Sequence, residues 1–207
     1  PNQARAKTYH SFISANYAQL NVKLVGSDPG VTAAYNGGTH MAFEDLGLMR
    51  TVPHLVVFEP SDPVSLAELV RQSAAHQGCT YMRLHRKATR PLYTDASQIK
   101  LGKGILLRDG SDLTLVAAGV VLVNEALAAA DLLANVGISA AVIDMHTIKP
   151  IDADLVTAYA ARTGALVTCE NHQITNGLGS AVAEVLSERR PTLLKRVGVE
   201  DEFGEVG

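Results

Sequence analysis

The chain has 207 residues, of which 47% are hydrophobic and 19% charged, enough for one large or two small domains. Eighteen basic against 21 acidic side chains, a formal charge of −3, exclude any general electrostatic case for nucleic acid or an anionic membrane as partner. Two distant cysteines, Cys79 and Cys169, exclude a disulfide framework and a metal knuckle, and the longest apolar run, residues 113–123, is too short to span a bilayer. With no signal-peptide pattern after Pro1, a cytoplasmic protein with reduced thiols is expected.

From the N-terminus, residues 5–17 read as a helix with mixed faces, and Val22-Lys23-Leu24-Val25 as a strand. Residues 26–40 form a long loop rich in Gly, Asp and Pro, of a length that compact domains usually reserve for function. A helix-like run over 41–50 follows, with Phe43, Leu46 and Met49 as apolar positions, and Pro53 marks the next turn. Leu55-Val56-Val57-Phe58 is apolar throughout, as suits a strand buried on both faces of a parallel sheet. Pro60-Ser61-Asp62-Pro63 closes it and opens a helix: Ser61 or Asp62 supplies a capping oxygen, and Pro63 suits the first turn. That helix is expected to reach about Gln77 and stop at Gly78, with a strand at Thr80-Tyr81-Met82-Arg83-Leu84.

Residues 90–104, with Pro91, Asp95 and Gly102, are irregular and read as a linker. Beyond it come strand 113–118, helix 123–136, strand 139–144, helix 152–162, strand 165–169, helix 179–188 and strand 194–199. Gly137 and Gly164 close the first two of these helices. Strict alternation of this kind predicts an α/β fold, with mainly parallel sheets flanked by helices. Two α/β units are expected, residues 1–97 and 98–207.

The strongest chemistry lies in Tyr35-Asn36-Gly37-Gly38-Thr39-His40. A glycine pair, a hydroxyl and a histidine stand at a predicted helix entrance, where backbone N–H groups converge and the helix dipole is positive. Such a corner can aim an imidazole at a polar or anionic ligand. The nearest approach to a basic patch, Arg83-Leu84-His85-Arg86-Lys87-Ala88-Thr89-Arg90, suits a small phosphate better than a nucleic-acid groove. Gly177-Leu178-Gly179-Ser180 could cradle an anion on backbone N–H groups. It lacks the third glycine and downstream acidic residue of a dinucleotide fingerprint, and reads first as a tight turn for close helix packing. Glu170 and His172 precede it at a strand's C-terminal end, where open α/β sheets place ligands. The histidines show no HExxH or other metal-ligand spacing.

These segments also carry a resemblance. Leu20-Asn21-Val22-Lys23-Leu24-Val25-Gly26, the Gly-Gly-Thr-His corner and Glu44-Asp45-Leu46-Gly47-Leu48-Met49-Arg50 resemble the pyrimidine-binding domain of transketolases. Pro60-Ser61-Asp62 and Tyr81-Met82-Arg83-Leu84-His85-Arg86 continue the likeness. Asp144-Met145-His146-Thr147-Ile148-Lys149-Pro150-Ile151-Asp152, Gly177-Leu178-Gly179-Ser180-Ala181-Val182-Ala183-Glu184-Val185-Leu186 and Val197-Gly198-Val199-Glu200-Asp201-Glu202-Phe203-Gly204-Glu205 resemble the family's C-terminal domain. The chain is most similar to the short, split type, whose C-terminal section is a separate polypeptide.

The resemblance implies thiamine diphosphate chemistry: a two-carbon ketol unit moves from a ketose phosphate to an aldose acceptor, as in pentose phosphate metabolism. It implies a cofactor site between the diphosphate domain of one partner and the pyrimidine domain of another. A homodimer completed by an N-terminal diphosphate-binding section or subunit is therefore expected. The family's activating glutamate, its aromatic platform for the pyrimidine ring, and the diphosphate domain with its divalent cation such as Mg all precede the matching segment. Alone, the chain is expected to be inactive and to hold neither thiamine diphosphate nor metal. Its first sheet is expected to show an unpaired edge and an uncovered apolar face.

By the resemblance, His40 is the histidine that faces the substrate, where an imidazole can hydrogen-bond a sugar hydroxyl or donor carbonyl and shuttle a proton. Asn36 stands where longer transketolases carry an aspartate that reads a donor hydroxyl. An amide donates and accepts but is uncharged, so an altered donor preference is expected, although Asn-Gly is also a favoured turn dipeptide. Arg86 matches the arginine that holds the substrate phosphate in two-point contact, whereas Arg83 is expected to pack or pair locally. Asp28 occupies the place of a histidine directed at that phosphate. A carboxylate there would repel it, so Arg86 or a partner chain compensates, or the substrate's charge lies elsewhere. Glu170 and His172 are read as structural or interface residues.

Within the enzyme class, deoxyxylulose-phosphate synthase and the β subunit of a 2-oxoacid dehydrogenase share this fold; the corner and Asp144-Met145-His146-Thr147-Ile148-Lys149-Pro150 favour transketolase. From a different class comes a non-catalytic assembly or binding module that kept the fold. A dinucleotide-binding domain rests only on the α/β alternation and the Gly177 turn.

Overall fold

The computed structural model describes residues 11–85, 89 and 91–205. Residues Ser11–Tyr17 are wound as a π-helix, and the rest of the predicted first helix lies outside the described residues. Strands β1 (Lys23–Ser27), β2 (Val56–Phe58) and β3 (Thr80–Leu84) are parallel in the order β1-β3-β2. Helix α1 (Asp45–Arg50) precedes β2, and α2 (Pro63–Ala75) joins β2 to β3. The start of α2 is set by a reciprocal cap: Asp62 Oδ1 accepts from Ser65 N at 2.7 Å while Ser65 Oγ accepts from Asp62 N at 2.9 Å. Leu69 of α2 is buried with Phe58, Met82, Ile99 and Ile105 on one face of this sheet.

The second sheet comprises β4 (Ile105–Arg108), β5 (Leu113–Ala117), β6 (Ala140–Asp144), β8 (Ala165–Gln173) and β9 (Leu193–Val199). Its order is β4-β6-β5-β8-β9, parallel except for β4. Helix α3 (Gly119–Ala134) covers one face, with Val123, Ala126 and Ala130 against Leu115, Ala117, Ala140 and Val142. Helix α4 (Ala153–Thr163) is capped by Asp152, which accepts from Leu155 N at 3.2 Å, and ends at Gly164 with φ +70°. Helix α5 (Leu178–Arg189) joins β8 to β9.

The two halves are welded together. Strand β7 (Thr147–Lys149) pairs antiparallel with β2, so the first sheet takes its fourth strand from the C-terminal half. One core runs through both halves, with Leu46, Met49, Leu55 and Val57 packed among Ile143, Met145, Ile148, Val156, Leu178 and Val182. Ser61 Oγ and Tyr93 OH donate to the two oxygens of buried Asp144 at 2.8 and 2.6 Å. Neither β4 nor β7 was expected as a strand, because both are short and owe their form to long-range pairing rather than to a local pattern.

Among the described residues, β1 is the edge of the first sheet. Val25 on it is exposed, as are Tyr17, Leu20, Val31 and Tyr35 from flanking segments. Among the described residues this edge is unpaired and has apolar surface beside it.

Candidate functional site

After β1 the chain turns over the C-terminal end of the first sheet. Asp28 adopts φ +55°, is buried, and donates its backbone N–H to Leu84 O at 2.9 Å, tying the loop to the end of β3. Gly30 N donates to Ala42 O at 3.0 Å, and Pro29 and Ala42 form a bridge, so the loop closes on itself. Between these points lie two 3₁₀ turns, Gly30–Asn36 and Gly38–His40, separated by Gly37 at φ +83°. That left-handed step is open to glycine at no steric cost. The helix expected from Met41 begins only at Asp45, because Met41 is extended and Ala42 is engaged in the bridge. His40 therefore ends a 3₁₀ turn rather than entering an α-helix.

The loop carries three of the four predicted site residues. His40 and Asn36 are exposed, and His40 Nδ1 lies 3.0 Å from Thr39 Oγ1. Asp28 is buried at the loop's base. Arg86 lies outside the described residues.

Beneath the loop is a charged network that the sequence did not reveal. Arg83 is fully buried, as expected of a residue that packs in the interior, but its partners are distant in the chain rather than local. Its Nε and Nη2 donate to the two oxygens of Asp45 at 3.0 Å each, and Nη1 lies 3.3 Å from Glu59 Oε2. Nη2 also donates to Ala42 O at 3.2 Å and Asn171 O at 2.8 Å. Tyr81 OH donates to Asp45 at 2.7 Å, and His85 Nε2 lies 3.0 Å from Glu59 Oε1. Burial, the largest single influence, pushes both carboxyls up, but Arg83 together with Tyr81 at Asp45 and His85 at Glu59 outweighs it. Both stay below their ordinary range.

The end of β8 supports the same loop from the second sheet. Asn171 Oδ1 accepts from Val31 N at 3.0 Å, and its Nδ2 donates to Pro29 O at 3.2 Å. His172 Nδ1 donates to Gln173 O at 2.7 Å, leaving Nε2 to accept from Gly47 N at 3.2 Å. Burial and nearby Arg83 lower its pKa, so this imidazole is neutral. Glu170 accepts from Leu178 N at 2.7 Å and Gly179 N at 2.8 Å. The start of α5 is thus filled by the protein's own carboxylate, and the tight-turn reading of Gly177 holds. Burial pushes Glu170 up to about 7, only partly offset by those two N–H bonds. A cavity of about 630 Å³ lies between the loop, α1 and this strand end, lined in part by Gly38, Met41, Phe43, His172, Gln173 and Phe203.

Among the described residues, no three His, Cys, Asp or Glu side chains come together as a metal site. Asp45 and Glu59 are committed to Arg83. These residues do not by themselves form a cradle for a divalent cation and a diphosphate. Nor is any described helix long and apolar enough to cross a membrane.

Residues 6–91 match the family model for the transketolase pyrimidine binding domain, and residues 102–207 match that for the transketolase C-terminal domain. The chain is 50% identical over 195 residues to the 6-deoxy-6-sulfo-D-fructose transketolase subunit SqwH of Clostridium sp. (strain MSTE9), covering 94% of this chain and 60% of that protein. It is 37% identical over 187 residues to one subunit of the apulose-4-phosphate transketolase of Phocaeicola vulgatus, covering 90% of this chain and 59% of that one. A solved split-gene transketolase, in an inactive beta4 tetramer, aligns with a TM-score of 0.91 and 40% identity over 98% of this chain and 65% of its own. The chain thus spans about 60% of the length of these two relatives. Two family models matched in order, together with this agreement in fold, establish that the chain belongs to the transketolase family.

Proposed function

We propose that this chain is the C-terminal section of a thiamine-diphosphate-dependent transketolase, inactive alone and completed by an N-terminal diphosphate-binding section. The observation that carries the reading is the Gly-Gly-Thr-His corner, held over the end of the first sheet with His40 open to solvent. Thiamine diphosphate supplies the nucleophilic carbon for cleaving the donor ketose, and in this reading the metal and diphosphate are held by the N-terminal section. This chain's part is to present the loop: His40 hydrogen-bonds a sugar oxygen and moves a proton, while Asn36 reads a donor hydroxyl. Arg86 holds the anionic end of the sugar.

The relatives' names give two chemistries for that anionic end, a sulfonate and a phosphate. A sulfonate carries a single negative charge, against about −1.5 to −2 for a phosphate monoester near neutral pH. The more similar of these relatives is named for the sulfonated sugar, and in this reading a sulfonated donor is the preferred one. Self-association through the open edge of the first sheet fits the tetrameric state of the solved split-gene protein, and a homo-oligomer in the absence of the N-terminal section is part of the proposal. The test is to mix the purified chain with its N-terminal section, thiamine diphosphate and Mg, then follow ketol transfer from 6-deoxy-6-sulfofructose and from fructose 6-phosphate. Transfer only in the mixture, faster from the sulfonated donor, is expected. No transfer from either sugar would defeat the reading.

A further inference from the structure

The last described residues, 201–205, run back across the loop. Gln173, the final residue of β8, holds them with both ends of one amide: Nε2 donates to Glu202 O at 2.7 Å, and Oε1 accepts from Asp201 N at 2.9 Å. So pinned, the segment lies directly on the His40 turn. A Cβ built on Gly38 would sit 1.7 Å from Gly204 O, and one built on Gly204 would sit 2.4 Å from Met41 Cε. Neither glycine has a left-handed backbone, so what they provide is close approach. Phe203 between these contacts is 95% exposed, so burial of its ring is not what holds the segment down.

Gln173 is a firm anchor. Its backbone N–H donates to Phe43 O at 2.7 Å, and that of Ile174 donates to Val199 O at 2.9 Å. Two residues earlier, Asn171 grips the beginning of the same loop at Pro29 and Val31. The end of β8 therefore holds the loop at both shoulders: directly at its start, and through the C-terminal segment at Gly38, two residues before His40. The Gly38–His40 turn has no buried residue of its own and follows a glycine at φ +83°. A turn that buries none of its residues has little of its own to fix its position.

We propose that residues 201–205 form a strap, pinned by Gln173, that sets the position of the turn bearing His40. Gln173, Gly38 and Gly204 are then positioning residues, and the C-terminal domain tunes the catalytic corner as well as serving assembly. The catalytic consequence rests on the proposed role of His40; the strap's hold on the turn does not. Orientation fixed before substrate arrives lowers the barrier to the step that uses it.

Two variants loosen the strap from opposite sides. Gln173→Ala removes both of its hydrogen bonds, and Gly38→Ala wedges it off the turn without straining the backbone. In the full chain with ring-labelled histidine, NMR should show the His40 signals shifted or broadened in each variant. The double variant should add little beyond either alone, because both break one contact. In the enzyme assembled with the N-terminal section, each should lower kcat on the order of tenfold to a hundredfold while KM changes far less. Unchanged His40 signals in both variants would overturn the strap, whatever happens to kcat. If the wild-type pair transfers no ketol unit, the functional reading fails, and the histidine signals still decide the strap.

Discussion

Arg83 and Asp45 meet in a two-point contact inside the protein, Nε to Oδ2 and Nη2 to Oδ1 at 3.0 Å each, with neither side chain more than 2% exposed. The same guanidinium reaches Glu59 and the carbonyls of Ala42 and Asn171, so one side chain ties together β3, α1, the end of β2 and the end of β8. Removing it would strand two carboxylates without their shared cation. Arg83→Ala should therefore cost about 3–5 kcal/mol of stability, measured as a lowered urea midpoint. Arg83→Lys should recover only part, because an ammonium cannot reproduce the fork.

Glu170 gives stability a pH dependence of known sign. Its folded value is raised from an ordinary 4.5 to about 7, so its contribution is fully present below about pH 4.5 and is lost as pH rises through 7. At about 1.4 kcal/mol per pH unit, that loss amounts to about 3 kcal/mol across the window. Glu170→Gln should be less stable than wild type at pH 4.5, having lost one acceptor for the start of α5, and the gap should close by pH 7.5. Urea titrations at pH 4.5, 6 and 7.5 measure it. A gap that stays constant would show that Glu170 does not titrate in this range.

His40 should behave oppositely. It is exposed, and its ring lies beside the Thr39 hydroxyl, a neighbour in the chain, so His40→Ala should change stability by no more than about 0.5 kcal/mol. Ketol transfer by the assembled enzyme should nonetheless fall about 10²- to 10⁴-fold, the scale of a lost general acid–base group. Parallel melting and rate measurements separate the two effects.

Asp62 does more than cap α2. Its Oδ2 accepts from Leu92 N at 2.8 Å and Tyr93 N at 3.0 Å, while Oδ1 accepts from Ser65 N. Asp62→Ala should cost about 3 kcal/mol, about 1 for the cap and the rest for two charge-assisted bonds. Hydrogen exchange at the Leu92 and Tyr93 amides should quicken well before the strands open.

What could be read from the sequence was local. The Asp62-Pro63 cap, the residues of β3 and the Gly164 stop are set by neighbours in the chain, and all three stand where the pattern placed them. The site was half legible: the corner was visible as a motif, but its support was not. Asn171 and Gln173 look like ordinary polar residues at a strand end, and only folding sets them against Pro29 and Glu202. Arg83 likewise looked local because its partners lie 24 and 38 positions away. The start of α1 was misplaced because the bridge to Pro29 holds Ala42 in a conformation that helix propensity alone would not choose.

The borrowed strand has a consequence for how the protein comes to exist. Because β2 finds its second partner in β7, the first sheet is unfinished until about half of the second unit has been synthesised. The N-terminal half then leaves the ribosome with β2 unpaired on one side, next to the apolar residues destined for the shared core. Non-local pairing of this kind slows folding and couples the two halves into one cooperative transition. A truncation made between them would release two aggregation-prone pieces, not two domains.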